Sequence, residues 1–305
     1  MHGSSNAHAT KRRATLPAAA LLGIVGLCIA WCAVAAPVTV TELLANTRPE
    51  DWRTPDPDNT LYLELPGGRV VIELAPLVAP KHVANIKALL RARYFDGLAI
   101  VRVQDNYVVQ WNDPKHDRPV PAGVTAVSPE FTAASGASKR FKSLPDNDDY
   151  APEVGFLDGF PAARDKRSGT VWLTHCYGMV GVGRDDPAES DGTEMYAVIG
   201  NSPRQLDRNV ALVGRVLKGI ELLSTLPRGS GDTGVYVAPQ SLVPIISARL
   251  ASGVPVVSRT PIQVLRTDSL AFQALLEQRR NHREAWFKFN PHHINICNVP
   301  LPARE

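Results

Sequence analysis

The fold is decided by residues 94–114, whose sequence is YFDGLAIVRVQDNYVVQWNDP. Two apolar runs, 98–103 and 107–111, flank a polar triplet at 104–106. Strand-forming residues on both sides of a short polar segment are typical of a β-hairpin. The sequence therefore predicts two paired strands, the first carrying Arg102 and the second carrying Gln110.

The residues before this hairpin predict a second hairpin and a helix. Apolar residues alternate through 61–65, Pro66-Gly67-Gly68 favours a turn, and an apolar run resumes at 70–74. Pro80 suits the first turn of a helix, and apolar residues then recur at spacings of three and four through 83–90.

The residues after it add strands and one more helix. Strand-like runs lie at 170–174, 179–182, 195–199, 210–216 and 242–250, with a helical pattern at 220–226. Short strands with one early and one late helix predict a mainly β chain, an antiparallel β barrel capped by two helices.

Two segments do not fit the barrel pattern. Residues 112–168 contain seven prolines and no sustained periodicity, so we expect a long loop-like insertion, either functional or merely tolerated. After Ser252 a tail follows, in which Asp268 or Ser269 is placed to cap a helix over Leu270, Phe272, Leu275 and Leu276. Nothing in the tail sequence indicates a role.

The N-terminus has the arrangement of an export signal. The chain of 305 residues has 33 Lys+Arg and 30 Asp+Glu. Three of the basic residues and none of the acids fall in the first 36, and these three precede an apolar run at 16–36. Ala33 and Ala35 suit cleavage after residue 35, and a retained inner-membrane anchor is the alternative. Both place the body outside the cytoplasm, and we expect a periplasmic protein. The remaining 30 basic and 30 acidic residues give no charge that would favour a nucleic-acid partner.

The sequence offers no recognised cofactor or metal pattern. Of its four cysteines, Cys176 and Cys297 remain after cleavage, and they form either one disulfide or two buried thiols. His292, His293 and Cys297 lie close together but lack a recognised ligand spacing, so no metal and no cofactor are expected.

Several motifs, in order, resemble the cyclophilin family of peptidyl-prolyl isomerases. They are Pro80-Lys81-His82-Val83-Ala84-Asn85-Ile86, the Asp96-Gly97 turn before Arg102, the run ending at Gln110 with Asp113 after it, Gly192-Thr193-Glu194-Met195-Tyr196, Leu206-Asp207, Gly214-Arg215-Val216 and Gly219. The resemblance covers Leu61 to about Leu250. It implies a closed eight-stranded antiparallel barrel at 60–251 with the insertion at about 112–168, a lead-in segment at 36–59 and an extension at 252–305.

The resemblance also implies an activity and its residues. It implies a peptidyl-prolyl cis-trans isomerase (EC 5.2.1.8) that takes proline-containing polypeptides, works as a monomer, and uses Arg102 and Gln110 in catalysis. The implied substrate-binding residues are Tyr107, Val108, Gly183, Glu194, Tyr196, Gln205 and Leu206. Glu194 stands where the family has glutamine, Gln205 where it often has tryptophan, and Val210 where it often has histidine or tyrosine.

The reaction needs no proton transfer or nucleophile. An X-Pro bond rotates over a barrier of roughly 18 to 20 kcal/mol because amide resonance is lost in the twisted state. A donor that bonds the prolyl nitrogen only in that state lowers the barrier, and Arg102 is the expected donor. Because the pocket departs from the family pattern, a catalytically weak binding module or chaperone of the cell envelope is the alternative. A scaffold that recruits partners through the tail is a third hypothesis.

Overall fold

The computed structural model describes residues 39–133, 135–282, 284 and 286–305. The predicted signal segment at 1–35 lies outside them. Within the described residues, no helix has both the length and the apolar character needed to cross a membrane.

Strands dominate the described chain. They are β1 (Trp52–Arg53), β2 (Thr60–Leu65), β3 (Gly68–Leu74), β4 (Ala99–Val103), β5 (Val108–Asn112), β6 (Phe141–Leu144), β7 (Glu153–Leu157), β8 (Phe160–Asp165), β9 (Thr170–Leu173), β10 (Met179–Val182), β11 (Met195–Val198), β12 (Leu212–Lys218), β13 (Val243–Pro244), β14 (Ser247–Leu250), β15 (Gln263–Leu265) and β16 (Ala303–Arg304). The α-helices are α1 (Val40–Ala45), α2 (Pro80–Arg91), α3 (Ser135–Ser138), α4 (Ile220–Ser224) and α5 (Leu270–Arg280).

The main sheet is antiparallel and curls on itself. Its strand order is β13-β4-β5-β11-β10-β12-β3-β2-β14. The two end strands are successive pieces of one segment, in which the Ile245 N–H bonds to the Leu98 carbonyl and the Ile246 N–H to the Glu64 carbonyl, both at 2.8 Å. Counting that segment once gives the predicted eight-stranded closed barrel, with no open edge to pair with another chain.

The barrel interior is filled by the apolar faces that the sequence patterns predict. Alternate residues of β2 and β3 and the apolar face of α2 are buried in one continuous core with β4, β5 and β11. Leu61, Ile86 and Trp111 are each at most 2% exposed there. Burial of these side chains supplies the main driving force for closing the barrel.

The prediction of a loop-like insertion was wrong from residue 141 onward. Strands β6, β7, β8 and β9 form a separate four-stranded antiparallel sheet in that order. The run at 170–174, expected in the barrel, supplies β9 and pairs with β8. Prolines do not exclude strands here, because Pro161 lies near the start of β8, a position that tolerates the missing N–H.

The tail and the lead-in segment fold together. Strand β15 pairs with both β1 and β16, and α5 packs against α1. Helix α5 is confirmed, with the Ser269 hydroxyl oxygen accepting from the Phe272 N–H at 3.1 Å. Phe272 also meets Phe156 of the insertion sheet, with ring centroids 5.0 Å apart. The insertion, tail and lead-in therefore share a second core on the outer face of the barrel.

A disulfide joins the tail to the segment between β9 and β10. Cys176 and Cys297 are bonded, 121 residues apart in sequence. Closing so long a loop restricts the unfolded chain, so we expect Cys297→Ser to lower the free energy of unfolding by about 2–4 kcal/mol. Denaturant unfolding with and without a thiol reductant measures this. Reductant should destabilise the wild type and leave the variant unchanged, and equal stability of the oxidised wild type and the variant would contradict it.

Asp146 makes the attachment of the tail sensitive to acid. Burial opposes its ionisation, but hydrogen bonds from Arg280 (2.6 Å) and the Ile294 N–H (2.9 Å) outweigh this and lower the Asp146 pKa from 3.8. A lowered folded-state pKa stabilises the protein above the unfolded-state pKa and loses that contribution as the pH falls through the folded-state value.

We therefore expect the melting temperature to decrease as the pH is lowered below about 4. Asp146→Asn should remove part of this acid dependence. Melting curves of the two proteins between neutral and acidic pH test this. If the melting temperatures of the two proteins change in parallel with pH, Asp146 contributes nothing to the acid dependence.

Candidate active site

The hairpin of β4 and β5 places Arg102 opposite Gln110 in the register of the barrel. Gly97, in the turn before β4, has φ 72°, a left-handed conformation that glycine adopts without strain. The Arg102 guanidinium donates from Nη1 to Gln110 Oε1 at 3.1 Å and from Nε to the Thr233 carbonyl at 2.7 Å. Nη2 donates to Gln104 Oε1. Three acceptors thus fix the orientation of the guanidinium.

Glu194 extends this network across the next strand. Its carboxylate accepts from Gln110 Nε2, and its second oxygen accepts from Asn112 Nδ2 at 2.8 Å. The side chain lies against Gly183, where an added Cβ would come within 2.0 Å of Glu194 Oε1. A glycine at 183 is therefore needed for Glu194 to lie in this position.

These residues line an open cleft of about 630 Å³. Its lining contains Arg102, Tyr107, Val108, Gln110, Gly183, Arg184, Asp185, Asp186, Pro187, Glu194, Tyr196, Leu206 and Val210. Eight of the nine residues predicted for the site are among them. Gln205 is not among them. It lies on the short helical turn Arg204–Leu206, and its side chain is exposed outside the cleft.

Sequence reasoning also missed part of the lining. The loop 184–187 follows β10 directly and closes one side of the cleft. The sequence signal for this loop was its two aspartates and its proline, and the loop comes directly after the predicted site residue Gly183. A second depression of about 420 Å³ adjoins the cleft and shares Arg102, Gln110 and Glu194 with it. The three residues therefore form the boundary between the two depressions.

Tyr196 forms a buried wall of the cleft. It is 6% exposed, and its hydroxyl lies 2.8 Å from His175 Nε2. His175 Nδ1 is 2.9 Å from Asp207 Oδ1, a carboxylate that can only accept, so in the neutral imidazole Nδ1 carries the proton and Nε2 accepts from Tyr196. Burial raises the pKa of Tyr196, so its hydroxyl stays protonated and keeps donating.

A buried ion-pair network continues from Asp207 to the insertion. Arg204 Nε donates to Asp207 Oδ2 at 2.6 Å, and its two terminal nitrogens donate to the carboxylate of Asp148 at 2.8 and 2.9 Å. The Arg204 and Asp148 side chains are 4% and 2% exposed. Tyr196 is thereby connected to the insertion sheet through four buried polar residues.

A larger cleft, of about 850 Å³, lies between the barrel, the insertion and the tail. It contains none of the motif residues, and several of its charged residues pair with one another, among them Arg53 with Glu73 and Arg140 with Asp158. Among the described residues there is no cluster of three or more His, Cys, Asp or Glu placed to hold a metal ion. Cys297, considered above beside two histidines, is taken up by the disulfide.

The comparisons with known proteins agree with this geometry. Residues 60–250 match the family described as cyclophilin type peptidyl-prolyl cis-trans isomerase/CLD. A probable peptidyl-prolyl cis-trans isomerase of Brucella suis is 27% identical over 192 residues, covering 62% of this chain and 82% of that protein. The human peptidyl-prolyl cis-trans isomerase-like 1 is 24% identical over 206 residues, covering 67% of this chain and 98% of that protein.

One solved structure is similar well beyond the barrel. The crystal structure of cyclophilin AquaCyp293 from Hirschia baltica matches with a TM-score of 0.70 and 26% identity, covering 87% of this chain and 97% of its own. Because the family match spans well over half of the residues, the chain belongs to the cyclophilin-type peptidyl-prolyl cis-trans isomerases.

Proposed function

We propose that the chain isomerises X-Pro bonds of exported polypeptides, with Arg102 as the catalytic residue. The observation that carries this proposal is the position of Arg102 in the cleft, fixed by Gln110, Gln104 and the Thr233 carbonyl. A guanidinium has five N–H groups, and these three bonds use three of them. One N–H on each terminal nitrogen is therefore left for a substrate.

Differential binding explains how such a donor accelerates rotation. The prolyl nitrogen of a planar amide has no available lone pair, whereas the twisted amide recovers one. Arg102 can therefore donate to the nitrogen in the twisted state and not in either planar isomer, which is the condition for lowering the barrier. Because the guanidinium is already oriented, little reorganisation is required during rotation.

The neighbouring residues position the donor and the proline ring. Gln110 accepts from Arg102 and donates to Glu194, so its main effect is to orient the guanidinium. Val108 and the rings of Tyr107 and Tyr196 supply apolar surface along the same cleft. The Arg102 guanidinium lies 5.7 Å from the centre of the Tyr107 ring, so a proline ring seated on this surface is close to the donor.

The disulfide supports an exported location. Structural disulfides persist in oxidising compartments such as the bacterial periplasm and are rare in the cytosol. The bond between Cys176 and Cys297 therefore agrees with the export signal inferred for residues 1–35, and we place the protein in the periplasm, released or held by its N-terminal segment.

A protease-free isomerisation assay tests the function. Cis-to-trans relaxation of a proline peptide is followed by NMR exchange, with and without the protein, and we expect clear acceleration. In parallel, aggregation of a proline-free client is followed with the wild type and with Arg102→Ala. No acceleration of the peptide by folded protein, combined with protection of the client by both proteins, would replace the isomerase with the chaperone alternative.

A further inference from the structure

The catalytic cleft contains an acidic group that has no cationic partner. Glu194 accepts hydrogen bonds only from the neutral amides of Gln110 and Asn112. Within the part of the chain that the structure describes, no Lys, Arg or His nitrogen comes within 4.0 Å of its carboxylate. A carboxylate offers about four acceptor positions, and two are used here. Glu194 therefore has acceptor positions left for a ligand.

Two more unpaired acids lie on the loop at one side of the same cleft. Asp185 and Asp186 are exposed, and neither carboxylate forms an ion pair among the described residues. The adjacent Arg184 forms no ion pair with either carboxylate among the described residues, and its guanidinium donates instead to the backbone carbonyls of Asn209, Asp185 and Asp186.

The cleft is therefore acidic on balance. Its lining contains three carboxylates, at 185, 186 and 194, and two guanidinium groups, at 102 and 184. Both guanidinium groups donate to carbonyl oxygens of amides, and in the described chain neither forms an ion pair with one of these carboxylates. A cationic substrate side chain that enters this cleft meets a carboxylate with free acceptor positions.

We propose that Glu194, assisted by Asp185 and Asp186, makes the enzyme selective for polypeptides that carry Lys or Arg beside the isomerising proline. This inference rests on the proposed function of the Arg102 site. Adjacent Cα atoms are about 3.8 Å apart, so a residue next to the proline lies close to the boundary formed by Arg102, Gln110 and Glu194. A lysine or arginine side chain there reaches the carboxylate, whereas an acidic one is repelled by it.

Three peptides that differ only in the residue before proline test the selectivity. They carry Lys, Ala or Glu at that position, and kcat/KM is measured for each with the full-length wild type, Glu194→Gln, Asp185→Asn/Asp186→Asn and Glu221→Gln. The last variant is a matched control, because Glu221 is an exposed acid outside both depressions. Circular dichroism verifies that each variant is folded.

We expect the wild type to prefer the Lys peptide over the Glu peptide by about fivefold or more, the size of a partly exposed charge interaction. Glu194→Gln should lower this ratio by about threefold, the Asp185→Asn/Asp186→Asn variant should lower it by a smaller factor, and Glu221→Gln should not change it. Raising the salt concentration should lower the wild-type ratio.

The outcomes separate this inference from the function on which it rests. A wild-type ratio near one, with all three peptides isomerised rapidly, would overturn the selectivity and leave the isomerase standing. An unchanged ratio in Glu194→Gln would overturn the assignment to Glu194. No acceleration of any peptide by the folded wild type would overturn the proposed function together with this inference.

Discussion

Replacing Arg102 with alanine is expected to lower kcat/KM for X-Pro isomerisation about a hundredfold to a thousandfold, the usual cost of losing an oriented donor to a transition state. The expected effect is large because the bond forms only in the twisted state, so its loss raises the barrier without an equal loss of ground-state binding. The protease-free isomerisation assay described above measures the loss of activity directly.

Two further variants show whether the loss comes from the oriented donor. Arg102→Lys keeps the charge but lacks the planar fork that bonds Gln110, Gln104 and the Thr233 carbonyl, so we expect most of the activity to be lost. Arg279→Ala removes an exposed arginine of α5 outside the cleft and should retain wild-type activity. An Arg102→Ala protein that is folded and within twofold of the wild type would contradict the assignment.

Replacing Arg204 with alanine is expected to lower the free energy of unfolding by about 3–5 kcal/mol. Arg204 is the only described cation bonded to Asp148 and to the second oxygen of Asp207, and all three side chains are almost fully buried. Its removal leaves the Asp148 carboxylate and one oxygen of Asp207 without a cationic partner in a low-dielectric interior. Urea unfolding at neutral pH measures the loss.

Arg208→Ala is the matched control for this experiment. Arg208 lies four residues further along the chain and is exposed, with its guanidinium 4.8 Å from the centre of the Trp172 ring. Loss of an exposed cation–π contact costs about 0.5–1 kcal/mol. If Arg204→Ala costs no more than this control, the network does not stabilise the fold as described.

The sequence predicted the barrel well because its strands have local signals. Alternation, turn residues and helix spacing lie within a few residues of one another, and the Arg102–Gln110 pair follows from one hairpin. The closing segment was found as one run at 242–250, although its two halves bond to different strands.

The buried network depends on distant contacts. Asp148 and Arg204 are 56 residues apart, and His175 and Asp207 are 32 residues apart, so no local pattern connects them. The strands β6 to β9 are four to six residues long, and their prolines and glycines obscure the alternation. Gln205 was assigned to the cleft from its place in a family motif, and the turn that exposes it has no clear sequence signal.

The most direct test of the account separates binding from rotation at Arg102. A proline peptide is titrated into the wild type and into Arg102→Ala, binding is followed by chemical-shift changes, and the cis–trans exchange rate is measured at saturation. We predict that the variant still binds the peptide but no longer accelerates exchange. Fast exchange in the saturated variant, equal to that of the wild type, would show that Arg102 is not the group that stabilises the twisted amide.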